Sequence, residues 1–122
     1  MRTLRDRLLS KVKGYEGANL SNEIDNAIED TIFNYFENVS YDEETGAVSS
    51  INKTDEKKLE KLSLLALLEI GYAYYSDKAV MTNDDINTLD MKKIADNILK
   101  AIDRLKEEIR KDGRKSAFRI IP

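Results

Sequence analysis

Residues 62–75 read LSLLALLEIGYAYY, fourteen positions in which Glu69 is the single charge. On a helix of 3.6 residues per turn, Leu62, Leu65, Glu69, Tyr72 and Ser76 follow one face, while Leu64, Leu67, Leu68 and Tyr75 cover others. A helix that is apolar nearly all round has to be enclosed by protein on most sides. In a chain of 122 residues this stretch is the central rod, and the few remaining helices hardly suffice to wrap it. The surplus implies neighbouring subunits. Leu67, Ile70, Tyr74 and Tyr75 are the candidate residues for core and subunit packing.

Working outward, the length fits one domain with a core of real size. The chain has no Cys and no His, which removes disulfides, thiolate nucleophiles, histidine general bases and the usual zinc ligand sets. The opening MRTLRDRLLSKVKG is charged throughout and lacks an apolar h-region, so no signal peptide is expected. The 62–75 run is shorter than the roughly 18–20 apolar residues that cross a bilayer, and it carries a carboxylate near its middle. These features point to an intracellular protein, or one assembled inside a cell, without a membrane span.

Net charge is −3, unevenly spread. Residues 1–15 carry +4, residues 16–60 carry −9, residues 61–109 carry −2 and residues 110–122 carry +4. Two basic ends bracket an acidic body.

The fold class expected is all-α: a small bundle of about four helices over residues 1–112, with an extended C-terminal tail at 113–122. A first helix covers Thr3 to Val12, with Leu4, Leu8, Leu9 and Val12 on one side. GYEGAN is a loop. Asn19 or Ser21 caps a second helix, about Asn22 to Glu37, whose Ile24, Ile28, Ile32 (or Thr31), Tyr35 and Phe36 face inward. Its outer face holds Glu23, Asp25, Glu29 and Asp30 in the half that the helix dipole favours. Residues 39–53 form either a small hairpin, with Gly46 at positive φ, or an irregular loop. Thr54 caps the third helix, the apolar rod, which runs to about Ser76. The segment TNDD resets the chain, and a long helix extends to about Lys111 on the stripe Met91, Ile94, Ile98, Ile102, Leu105 and Ile109. Gly113 ends it. RKSAFRIIP then alternates basic and apolar residues with no helical period.

Chemistry-bearing residues are few. Glu69 is either a functional carboxylate or a charge that is paired or sits where the rod emerges. Tyr72, Tyr74 and Tyr75 read better as packing anchors than as a stacking platform. The acidic runs at Asp42–Glu44 and Asp84–Asp85 lack the alternating ligands of a calcium loop, and no metal or cofactor is expected. Arg2, Arg5, Arg7, Lys11 and Lys13, with Arg110, Lys111, Arg114, Lys115 and Arg119, could meet nucleic-acid phosphates or an acidic protein partner. Phe118, Ile120 and Ile121 are a liability in an exposed tail unless a partner receives them.

The order of these pieces, with EIDNAIED, a variable hairpin or loop, LLALLEIGYAYYSDK and a long closing helix, resembles the small head-to-tail connector proteins of tailed bacteriophages, the adaptor or head-completion proteins of the neck. The resemblance spans about residues 20 to 112. It implies a non-enzymatic ring, usually twelvefold, beneath the capsid portal, in a virion assembled in the host cytoplasm. Partners would be other copies of the chain, the portal protein, and tail or other neck proteins, with DNA passing through unbound. Arg114, Lys115, Phe118, Arg119, Ile120 and Ile121 are then candidates for docking on the portal or a neighbour. Glu23, Asp25, Glu29 and Asp30 are candidates for an acidic channel wall that repels phosphate. A second reading is a small cytoplasmic regulator that dimerises through its last helix and binds nucleic acid with its basic ends. An enzyme using carboxylates and tyrosines alone has no constellation in its favour.

Overall fold

The computed structural model describes residues 3–81 and 85–120, with 14, 16–17, 80–81, 85–89 and 113–120 given by backbone only. Four helices and one short antiparallel hairpin make a small bundle: α1 (Leu4–Val12), α2 (Ile24–Tyr35), β1 (Ser40–Asp42), β2 (Ala47–Ser49), α3 (Lys53–Met81) and α4 (Asp85–Ile120). Two 3-10 segments, Lys13–Ala18 and Leu20–Glu23, join α1 to α2 where the sequence leads one to expect a loop. Asn19 sits between them at φ 53, a conformation its short polar side chain tolerates better than most.

Local chemistry sets most of the helix starts. Thr3 and Asp6 cap α1 reciprocally: the Thr3 hydroxyl accepts from the Asp6 amide at 3.2 Å and the Asp6 carboxylate accepts from the Thr3 amide at 3.3 Å. At α3 the cap is Asn52, not Thr54. Its side-chain oxygen accepts from the Asp55 amide at 2.8 Å while its amide donates to the Asp55 carboxylate at 3.1 Å. Asn52 reaches that free amide first, so Thr54 falls inside the opening turn. Neither Asn19 nor Ser21 caps α2, because Glu23 holds the capping position without a side-chain bond.

The rod α3 is the wall between two cores. On one side Leu59 and Leu67 close over Leu4, Leu8 and Val12 of α1, Leu20, and Ile24, Ala27 and Ile28 of α2. On the other, Leu68 and Tyr75 meet Ala95, Ile98, Ile102 and Leu105 of α4, with Met91, Ile94 and Ile109 packed at the edges. The stripe expected on the last helix is therefore its buried face. Gly71 lies at the junction, where a Cβ would come within 3.2 Å of Leu20 and 3.5 Å of Ile98.

Several expectations differ from the molecule. One chain wraps more of the rod than its composition implies, since the 3-10 segments add cover through Leu20, Tyr15 and Ala18. Tyr35 is not inward-facing; α2 ends there, beyond its last packing turn, and the ring is 63% exposed. Leu9 likewise turns outward on α1. The backbone of α4 stays helical through Gly113 to Ile120, so the stop expected at Gly113 and the extended segment after it give way to helix. A glycine inside a helix costs about 1 kcal/mol relative to alanine, which a helix of this length absorbs. The expected cap at Thr82–Asp84 lies outside the described residues. Among those described, no helix is long and apolar enough to cross a membrane.

Two substitutions test this packing. Gly46 has φ +78, and a Cβ on it would lie 2.5 Å from the Arg5 Cβ. Gly46→Ala should therefore cost about 2 kcal/mol or more in urea unfolding, from backbone strain and overpacking together. The Ser63 hydroxyl is fully buried with no hydrogen-bond partner among the described residues. Ser63→Ala should raise stability by about 1 kcal/mol, because an unsatisfied buried group is removed and helix propensity improves.

Candidate functional site

The N-terminus of α1 is locked onto the hairpin turn through Arg5. Its backbone amide, one of the free donors of the first helical turn, donates to the Gly46 carbonyl at 3.1 Å. Its guanidinium donates to both Asp25 oxygens, at 3.0 and 3.1 Å, and to the Glu43 carbonyl. The Tyr41 hydroxyl donates to the same Asp25 carboxylate. Tyr41 is brought there by the hairpin register, in which Tyr41 pairs with Val48 and both pack on the first core. Burial, reinforced by Asp25, pushes the Tyr41 hydroxyl up to about 12. Burial alone would raise the Asp25 carboxyl as well, but Tyr41 and Arg5 outweigh it and hold Asp25 below its ordinary value.

A second set of ion pairs ties α1 to α3. Arg7 donates to Glu60 at 2.5 Å and to Glu56 at 2.9 Å, and Lys11 donates to Glu60 at 2.5 Å. Burial works to raise the Glu60 carboxyl, but Lys11 and Arg7 prevail and hold it low. Farther along, Lys61 joins α3 to Asp112 of α4 at 2.6 Å. Arg5, Arg7 and Lys11 of the basic N-terminal helix are thus matched by carboxylates of the acidic body of the same chain.

The candidate acidic wall separates into two groups. Asp25 belongs to the Arg5–Tyr41 cluster and Glu23 is half-buried at the start of α2, so both are less open than the other two. Glu29 and Asp30 are exposed. A hydrogen bond with Glu43 raises the Glu29 carboxyl, and burial and the nearby negative charges of Glu43, Asp25 and Asp30 act the same way. Phe33 stands in this acidic face, 88% exposed, one helical turn from Glu29 and Asp30. Sequence reasoning missed it. The signal was legible: an aromatic ring at three- and four-residue spacing from carboxylates lies on the polar side of an amphipathic helix.

The packing candidates also divide. Leu67 and Tyr75 are buried within the chain. Tyr74 is half-buried, edge-on to Tyr75 with ring centroids 5.1 Å apart, and the Lys78 ammonium lies 5.7 Å from its ring centre. Ile70 is 41% exposed. It borders a face of α3 carrying Leu62, Ala66, Glu69 and Ala73 at intervals of four and three, which neither core covers fully. Glu69, Ile70 and Ala73 are exposed there, so Glu69 is a solvated charge where the rod emerges rather than a buried carboxylate. Leu99 on α4 is a further exposed apolar residue, at 40%.

The side chains of Arg114, Lys115, Phe118, Arg119 and Ile120 lie outside the described residues, as does Ile121 altogether. Among those described, no group of three or more Asp or Glu could hold a metal ion. What the arrangement offers is surface chemistry: an acidic face crowned by an aromatic ring, and an apolar band on α3. No family model, curated protein or solved structure matches the chain.

The ion-pair network sets an expected pH response. Asp25 and Glu60 have folded-state pKa values below their unfolded ones, so their contribution is complete above the unfolded carboxylate range and is lost as pH falls through the folded values. Stability should therefore fall from about pH 4 downward. The Asp25→Asn/Glu60→Gln double variant should be less stable at pH 7 and show a flatter decline below pH 4 in urea titrations. Tyr41→Phe should cost about 1 kcal/mol at neutral pH.

Proposed function

We propose that the protein is a non-catalytic structural adaptor, a homo-oligomeric ring of the head-to-tail connector kind. In this reading it joins the capsid portal to the tail of a tailed phage, in the neck of the virion, after assembly in the host cytoplasm. The observation that carries the reading is the apolar surface left open on an otherwise highly charged chain, chiefly Phe33 at the end of α2 and Ile70 on α3. Isolated exposed apolar residues are ordinary, but an aromatic ring this fully displayed has a large apolar area to bury in a partner's pocket.

Charge supports the same reading. The exposed carboxylates Glu29 and Asp30 would repel phosphate along a DNA path. The rival, a regulator that binds nucleic acid with both basic ends, loses part of its N-terminal set, because Arg5, Arg7 and Lys11 are engaged with Asp25, Glu56 and Glu60. A portal-facing role for residues 114–122 follows from their basic and apolar composition.

Light scattering and electron microscopy of the purified protein, alone and with portal protein, test the proposal. The expected result is a ring many times the 14.0 kDa of one chain. Deleting residues 114–122 should preserve the helical circular dichroism and abolish association with the portal. A particle that stays monomeric under all these conditions overturns the adaptor, and a truncated protein that still binds the portal overturns the docking role.

A further inference from the structure

We infer that the subunits join head to tail, the Phe33 end of α2 on one copy resting on the open α3 face of the next. This rests on the ring proposed above and specifies its contact. The two apolar surfaces are on different elements and different in character. One is a projecting ring on α2; the other is a shallow band on α3 in which Ile70 and Ala73 are exposed and Leu62 and Ala66, the latter also packed on the first core, are half-buried. Different surfaces on one chain give a heterologous contact, which closes into a ring when the rotation permits.

Charge selects the occupant. The segment from residue 23 to residue 37, which contains α2, carries five carboxylates and no cation. Arg5 pairs with one of them, Asp25, and the exposed Glu29 and Asp30 stand one helical turn before Phe33. A second α2 would meet like charge, so a symmetric pairing of two Phe33 ends is disfavoured. The α3–α4 side offers cations instead: Lys58 is exposed one turn before Leu62, and α4 exposes seven Lys and Arg between residues 90 and 112, against four exposed acids. Glu69 is the one carboxylate within the apolar band, facing an acidic visitor. Its reversal to Lys should strengthen the contact, a sign opposite to that of most interface substitutions.

The test uses two full-length variants that each spoil one surface. Phe33→Glu removes the projecting ring and keeps the α3 face; Ile70→Glu does the reverse. Both positions are exposed, so thermal melting monitored by circular dichroism should show each variant folded. Native mass spectrometry of the unmodified protein first reads whether a ring forms at all; a monomer there overturns the ring and this contact with it. Given a ring, each variant alone should be monomeric. An equimolar mixture should form a one-to-one heterodimer and nothing larger, because only one productive surface pair survives. A mixture that stays monomeric, or either variant forming the full ring alone, overturns the head-to-tail contact while leaving the ring intact. Glu69→Lys should lower the concentration at which the ring appears by several-fold, and an increase counts against the contact.

Discussion

Every other helix of this protein leans on α3, and the rest of the structure follows from how that rod is shared. With apolar side chains around most of its circumference, it cannot be buried against a single neighbour. It therefore divides two cores, with Leu59 and Leu67 turned to α1 and α2 and with Leu68 and Tyr75 turned to α4. Gly71 permits the close approach at which both cores nearly touch, through Leu20 and Ile98. Partial cover on the remaining side is the geometric consequence. Three helices and a pair of 3-10 segments do not enclose the full cylinder, and a band of α3 stays open.

Electrostatics then decides how the small elements are held. A three-residue hairpin has little stability of its own. Here its turn carbonyls receive the α1 amide and the Arg5 guanidinium, and its Tyr41 hydroxyl meets Asp25. The glycine at the turn is required twice over, for its positive φ and for the space occupied by Arg5. Arg7 and Lys11 hold the other end of α1 against Glu60. Charges that appear in the sequence as a basic arm beside an acidic body are to a large extent the two halves of one intramolecular contact. This weakens any reading in which the N-terminal arm is a free polycation. Unpartnered surface chemistry moves to the outer side of α2.

That outer side joins structure to the proposed role. A ring exposed among carboxylates has a large apolar area to bury, yet its surroundings reject phosphates and other acidic surfaces. Such a surface discriminates by charge while gaining its affinity from the aromatic group. In an adaptor that must bind its own copies and let DNA slide by, the combination is useful. In the proposed ring the carboxylates that repel phosphate would also select the neighbour.

The all-α class, the four helices, the inward stripe of α4 and, as one of two readings of residues 39–53, the hairpin with Gly46 at positive φ were legible in the sequence, because each depends on spacing or on local backbone preference. Ile98, Ile102 and Leu105 repeat at helical intervals wherever the helix is placed, and EETG turns for reasons contained within itself. Tertiary structure alone decided what those elements do to one another. That Asp25 turns to meet Arg5, and that Ile70 stays open while Leu67 is sealed, depend on which neighbour arrives at which side. Periodicity says which residues share a face. It carries no information about the length of the partner that covers that face, and it is where α2 stops that exposes Tyr35 at its end.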